Sequence, residues 1–568
     1  MFVVFEGIDG SGKTTVSNMV AERLRARGLS VKHLRAEGKF VSAVSEAIRD
    51  LGRDARNLEL VPQAEFLLYV ARDVQLIEEA LRPGLDNSDV VLADRFLYTA
   101  EVLGEKGRYL PTEFTRPILR AAAGGLEPDL VVLVDVDPVL ARARRKAFKI
   151  AVVDRRPPSR KGLAGVGLQH RMRRGYLEMA AASPQRWVVV QNEDVLEDTV
   201  NQVTDLIGDA HRVGVRAALD DVRARTAAGA RSRREVRPPR SPDEALDAFL
   251  AWVDQRMERE PRVAAYLLGG LSGPRIDERR RQLVQSVPEA VLAALPGLDD
   301  PTSWELRDLL KDRHQRAVAR TLTGLPSSNE RAAALRAYLE VSAPAEVASS
   351  LSRLDDAVAW STRERLYPRC PTVVAGSLTG LDSDRAWSLR ERWLDSAKDE
   401  VGSSYEQSCV AVKSVGGLDD DRAWRLRDKV RVVAPVAALA SIGVSLGARS
   451  WQWRDEYLAR APKVVMGTVR RVSDPRAWRL RDSVVSMCKE AIDSIQDLDD
   501  AAAWALREAH ADTWPSTVVK TLGPLADGAR GKALLERQLA AHGSNVSLLK
   551  HVAAVALGLH RLDIAQDA

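Results

Sequence analysis

Residues 1–15 read MFVVFEGIDGSGKTT. The opening residues are apolar and strand-forming, residues 7–14 satisfy G-x-x-x-x-G-K-[ST], and a helical pattern runs over 13–27. A glycine-rich loop in that context turns its backbone N–H groups on a phosphate, with the positive end of the new helix behind it. Gly7, Asp9, Gly10, Ser11, Gly12, Lys13, Thr14 and Thr15 are the expected nucleotide-binding residues. Lys13 would neutralise the β- and γ-phosphoryl oxygens, and the Thr14 hydroxyl would ligate Mg²⁺.

Working outward, residues 90–93, 130–136 and 187–191 repeat the short apolar pattern of 1–5, with 29–34 a weaker example. Helical patterns lie between them at 62–82, 112–123, 138–149, 168–182 and 194–209. Strands alternating with helices predict a parallel α/β sheet wrapped on both faces. The strand in VVLADRF, residues 90–96, ends in Asp94 and Arg95. An acid at the carboxyl end of a parallel strand beside such a loop is placed to hold Mg²⁺ through water, and the Arg can reach a transferring phosphoryl group.

Beyond residue 240 the strand pattern stops and a repeat begins. LDDPTSWELRD, LDDAVAWSTRE, LDSDRAWSLRE, LDDDRAWRLRD, SDPRAWRLRD and LDDAAAWALRE align, with tryptophans at 304, 360, 387, 424, 451, 478 and 504. The period is about 27 residues, with a degenerate copy near 333–336 and an insertion between Trp387 and Trp424. A short period without strands predicts two helices per unit, stacked because one unit cannot bury its apolar face alone. The Asp pair should cap the first helix, the Trp should pack between units, and the Arg after it should bridge to a neighbouring Asp. The domains expected are 1–210, an α/β P-loop domain; 211–241, an Arg-rich linker in which residues 217–228 could form a helix; and 242–568, an all-α HEAT-like solenoid.

The whole 568-residue chain carries a net charge of +5, unevenly spread. Residues 142–174 hold twelve Lys or Arg against Asp154 alone, and residues 212–240 hold nine Arg against three acids. The remainder is net acidic, so the chain is not a generally basic nucleic-acid coat, although the Arg-rich stretch leaves nucleic acid open as a partner. Cys370, Cys409 and Cys488 form no CxxC spacing, which argues against structural zinc or a disulfide framework. No apolar run is long enough for a membrane span, and no basic leader precedes the glycine motif, so a cytoplasmic location is expected.

Five blocks carry a resemblance to the thymidylate kinase family over residues 1–208: FEGIDGSGKTT at 5–15, AEFLLYVARDVQLIEEALRPGL at 64–85, DRFLYTAEVLGEKGR at 94–108, PDLVVLVDVDP at 128–138 and RMRRGYLEMAAASPQRWVVV at 171–190. The resemblance implies a P-loop kinase fold, ATP and Mg²⁺ as cofactors with Thr14 and Asp94 at the metal, and a nucleoside monophosphate, most simply dTMP, as acceptor. It places Asp9 near the sugar, Tyr69 against the base, Arg72 on the acceptor phosphate and Arg95 on both phosphoryl groups, with Thr99 lining the same pocket. It also implies a lid after residue 138 which, since Ser11 stands where some members carry Arg, would supply the charge from Arg155, Arg156, Arg160 or Lys161. Catalysis would then rest on Lys13, Asp94, Arg95 and those lid arginines. Homodimers are common in the family.

Some positions depart from the family pattern. Val102, Leu103 and Gly104 stand where Ala-Tyr-Gln is usual, and Arg72 precedes Gln75 by three positions rather than two, about 100° around a helix. LRAEG at 34–38 replaces Arg-Glu-Pro-Gly, leaving Arg35 as a second acceptor-phosphate candidate. An alternative reading follows from the departures and the long repeat: a nucleotide-gated scaffold with a re-purposed kinase domain, its repeats holding an unknown protein partner.

Overall fold

The computed structural model describes residues 1–36, 39–151, 167–193, 195–230 and 238–558. Contacts divide the chain into two compact units, Met1–Arg145 with Pro157–Arg237, and Lys146–Arg156 with Pro238–Ala568. The first is built on five parallel strands: β1 Phe2–Glu6, β2 Val31–His33, β3 Val90–Asp94, β4 Leu130–Asp135 and β5 Trp187–Gln191, in the order β2-β3-β1-β4-β5. Every residue of β1, β3 and β4 is buried, as uninterrupted apolar runs between two helical layers must be. β1 pairs with β3 so that Phe5 faces Asp94, which sets the glycine loop and the Asp-Arg pair side by side at the carboxyl edge.

Around the sheet lie α1 Lys13–Ala26, α2 Ala43–Arg53, α3 Pro62–Leu76, α4 Arg82–Asn87, α5 Leu97–Val102, α6 Thr112–Ala123, α7 Pro138–Ala151, α8 Gly167–Ala182, α9 Leu196–Val213 and α10 Val215–Ala230. The sequence reading left α2 out, although Ser42 caps it by accepting the Ser45 N–H. It also left out α5 and the π turn Leu103–Gly107 that follows. Helix α3 runs on through a second π turn, Ile77–Leu81, into α4, where Pro83 sits in the first turn. A wider turn there tolerates a residue with no N–H to donate. Part of the expected linker is helix: α10 follows a left-handed Gly214, packs on α9 and buries Ala218 and Leu219 in the core of the first unit.

The second unit is a helical repeat. Most turns have an outer helix of about three turns, such as Asp421–Val430, and a shorter inner one, such as Pro435–Ala440, often opened by proline in its first turn. The Asp pair divides its work. Asp300, Asp356, Asp420, Asp474 and Asp500 accept backbone N–H groups of their helices, while Asp299, Asp355, Asp382, Asp419 and Asp499 accept the indole N–H five residues on, at 2.6–2.8 Å.

The Arg after each Trp does not bridge to Asp as expected. Arg307, Arg363, Arg390, Arg427, Arg454, Arg481 and Arg507 are fully buried. Arg427 is typical: Nε donates to Ser441 Oγ at 3.0 Å, and Nη2 to the carbonyls of Val415 (3.1 Å), Leu418 (2.7 Å) and Ser441 (2.9 Å). A rigid fork of five donors can join three successive turns of chain this way, which a short carboxylate cannot. Burial lowers these guanidinium pKa values to about 10, the neighbouring Asp residues working against it, so they stay charged at neutral pH. Most of these Trp rings lie under pairs of arginines: Trp424 has Arg427 at 4.7 Å and Arg449, from the next turn, at 4.8 Å.

The array is not open-ended. Its first helix, α11 Pro242–Arg259, packs along its last, Val546–Ala556, and each inner helix touches the inner helix of the next turn. Lys550 in the last helix donates to the Gly269 carbonyl at 3.0 Å. The expected solenoid is therefore a closed ring of helices.

Candidate functional site

Strand β1 ends at Glu6 and the chain turns through the glycine loop into α1. Gly10 and Gly12 have φ of 91° and 93°, a region that costs any side chain. A Cβ on Gly10 would lie 2.3 Å from the Ala141 carbonyl oxygen, and one on Gly12 2.4 Å from Asn192 Nδ2, so the loop is held between α7 and the end of β5. Asn192 fixes it further by donating to the Ser11 carbonyl at 2.8 Å. Ser11 Oγ is buried with no partner.

Lys13 is 5% exposed and donates to the Ile8 carbonyl at 2.9 Å. Burial first, then the Arg95 charge, pushes its ammonium down to about 7, against the pull of Asp94, Asp9 and Glu6. Phosphate oxygens would restore the charge. Thr14 donates to Asp94 Oδ2 at 2.5 Å, and Arg35 Nη1 reaches the same oxygen at 3.1 Å. The second oxygen, Oδ1, is buried without a partner. Burial opposes ionisation of Asp94, yet Arg35, Lys13 and Arg95 together hold it below the usual carboxylate range. An ionised carboxylate with one free oxygen beside a threonine hydroxyl has the hard oxygen donors a hydrated Mg²⁺ takes, so these residues fit the ion.

Arg95 sits at φ 83°, unusual for a residue other than glycine, and its N–H donates to the Phe5 carbonyl at 3.0 Å. Its guanidinium reaches the Gly7 carbonyl and Thr99 Oγ1 at 3.1 Å, Tyr176 at 3.4 Å, and Asp9. Beneath it, the wholly buried Glu6 accepts the Phe96 N–H at 3.0 Å and the Thr99 hydroxyl at 2.8 Å. Burial disfavours the Arg95 charge, but Asp9, Tyr176, Glu6 and Asp94 more than offset it and hold the proton firmly. So Asp9, Arg95 and Thr99 converge at the loop, while Thr15 stands in the first turn of α1.

Arg35 and Arg72 converge on Phe40, their guanidinium carbons 5.1 and 5.4 Å from its ring centre. Arg72 also lies 4.9 Å from the Tyr69 ring and donates to Asp73 at 2.7 Å. Leu103 and Gly104 are buried in the π turn, and a Cβ on Gly104 would meet Phe66 at 3.0 Å. Arg155, Arg156, Arg160 and Lys161 lie outside the described residues.

Four participants escaped the sequence reading: Glu6, Tyr176, Asn192 and Arg145. Arg145 on α7 brings its Cγ 3.0 Å from the Cβ position of Gly10, and Asp9 opposes the lowering of its pKa by burial. The signal for Glu6 was visible, an acid closing an apolar strand; the others are joined to the loop only by the fold.

A sequence model of the family described as thymidylate kinase matches residues 5–203. The chain is 36% identical over 212 residues to the thymidylate kinase of Desulfovibrio desulfuricans, covering 36% of this chain and 94% of that one. It is 36% identical over 200 residues to the thymidylate kinase of Deinococcus radiodurans, covering 35% and 92%. A crystal structure of thymidylate kinase from Ehrlichia chaffeensis aligns with 37% of this chain and 98% of its own, at 22% identity and a TM-score of 0.28.

Proposed function

The chain belongs to the thymidylate kinase family through residues 5–203 and is a nucleoside monophosphate kinase, and from that premise we propose dTMP as its acceptor and ATP as its donor. An oxygen of the acceptor phosphate attacks the γ-phosphorus in line as the bond to the β-γ bridging oxygen breaks, giving dTDP and ADP. Thr14 and Asp94 would hold magnesium, which would supply positive charge to offset that of the donor phosphates.

The observation that carries this reading is the convergence of Lys13, Thr14, Asp94 and Arg95 at the joined ends of β1 and β3. Lys13 and the loop amides hold the donor phosphates, and Arg95 spans donor and acceptor phosphoryl groups. Arg35, paired with Asp94, and Arg72, paired with Asp73, are the donors assigned to the acceptor phosphate. Asp9 and Thr99 sit beside Arg95 on the sugar side, and Tyr69 provides a ring for the base. The lid candidates Arg155, Arg156 and Arg160, and Arg145 from α7, would balance charge on the transferred group. Partner binding or regulation falls to residues 242–568, reached through 211–241.

ADP release measured with dTMP, dUMP, dCMP and dGMP as acceptors tests the assignment. Turnover is expected with dTMP as a leading substrate; ATP binding with no turnover on any acceptor would leave a nucleotide-gated switch in its place.

A further inference from the structure

His33, the last residue of β2, is 5% exposed and has no part in the reaction described above. Its ring lies between α1 and Arg35. Nδ1 accepts the Arg35 backbone N–H at 3.1 Å, which leaves the ring proton on Nε2, 3.0 Å from Ser17 Oγ. Ser17 passes the contact on by donating to the Thr14 carbonyl at 3.1 Å. From Thr14 the path returns through Asp94 Oδ2, which Thr14 Oγ1 and Arg35 Nη1 share. Thr14, Ser17, His33, Arg35 and Asp94 thus form a closed hydrogen-bonded circuit. One side is the first turn of the helix behind the phosphate loop, and the other is the arginine assigned above to the acceptor phosphate.

We propose that His33 is a positioning residue that ties α1 to Arg35, so that the donor-phosphate and acceptor-phosphate halves of the site are held in one register. The inference rests on the reading of Arg35 as an acceptor-phosphate ligand. Arg35 lies past the end of β2, where the last ladder-like bond is Leu34 N–H to the Leu92 carbonyl, so its amide takes its acceptor from the histidine. Burial keeps the imidazole neutral, its pKa lowered to about 4, and only the neutral ring can accept at Nδ1 while donating at Nε2. An apolar residue would fill the same volume and leave the Arg35 amide and the Ser17 hydroxyl without that bridge.

The test uses the full chain and steady-state kinetics with both substrates varied. His33→Leu is expected to raise the acceptor KM by about five- to tenfold, the effect of one or two lost buried hydrogen bonds, while the ATP KM moves by less than about twofold. His33→Asn, whose amide oxygen can reach the place of Nδ1, should recover most of the loss. Ser17→Ala opens the circuit on its other side and should raise the acceptor KM in the same direction, which keeps the test alive if His33→Leu does not fold. Arg35→Ala is the control and should raise the acceptor KM further. If Arg35→Ala does so but His33→Leu and Ser17→Ala leave the acceptor KM unchanged, or shift both KM values equally, His33 is ordinary core and the inference is wrong. An Arg35→Ala variant with an unchanged acceptor KM overturns the reading of Arg35 itself, and the inference with it.

Discussion

Lys13 shows at the residue scale how the loop works. The loop offers its ammonium one carbonyl, Ile8, and burial lowers its proton affinity, so it gains from a phosphate anion. Lys13→Ala should reduce kcat/KM by at least about 10³-fold with the circular dichroism spectrum unchanged, because the side chain acts on phosphate charge. Activity within about tenfold of the parent would remove catalysis from this loop. Arg145 is a second residue of interest, lying over Gly10 from α7. Arg145→Ala should lower kcat by about ten- to a hundredfold with little change in the acceptor KM, as expected for a group that meets charge on the transferred phosphoryl.

At the scale of elements, the π turn Leu103–Gly107 bears on specificity. It buries Leu103 and sets Gly104 against Phe66, so neither position offers the base a hydrogen bond. Loss of one such contact costs about 1–3 kcal/mol, and stacking by Tyr69 cannot restore the discrimination. The ratio of kcat/KM for dTMP over dUMP, dCMP and dGMP should stay below about 10³; a larger preference would show that other residues read the base. The repeat helices make a different prediction. Arg427→Met keeps the apolar stem but orphans the Leu418 carbonyl and takes one of two donors from the carbonyls of Val415 and Ser441. It should lower the stability of the ring unit by about 2–4 kcal/mol, read from urea unfolding by tryptophan fluorescence. Loss below about 0.5 kcal/mol would mean water replaces the guanidinium without cost.

At the scale of the whole molecule, closure of the ring ties the stability of residues 238–558 to one seam. Lys550 and His551 both lie in the closing helix. Burial, and after it the positive charge of Lys520, pushes His551 down to about 3, with Lys550 and Lys489 acting the same way. The unfolded chain takes up that proton near pH 6.5 and the folded ring only near 3. The histidine therefore contributes nothing to pH dependence above about 6.5, and destabilises the ring progressively as pH falls from there towards 3. Thermal unfolding between pH 4 and 7 should show this slope in the parent and a flatter one in His551→Gln; parallel slopes would place the titration elsewhere. Deleting residues 546–568 should remove closure altogether, broadening the ring's melt into a less cooperative one, as an open stack of repeats allows.

The strands, the glycine loop, the Asp94-Arg95 pair and the repeat period were all legible in the sequence, because each rests on local chemistry. An unbroken apolar run can only be a buried strand in a wrapped sheet, a P-loop needs its residues in one stretch, and a repeat declares itself by returning tryptophans. What the sequence could not carry were partnerships between residues far apart along the chain. Glu6 reaches Thr99 across 93 positions, Asn192 reaches Ser11 across 181, and Lys550 meets Gly269 across 281. The buried arginines show the same limit within the repeat. The sequence pointed to a neighbouring Asp as their partner, but most of the acceptors turned out to be backbone carbonyls, which every residue possesses and no residue type announces. Helix α2, which fully buries only Ser45 and Gly52, and the closing of the ring were likewise decided by packing: a face becomes core only once another element covers it, and that pairing exists only in three dimensions.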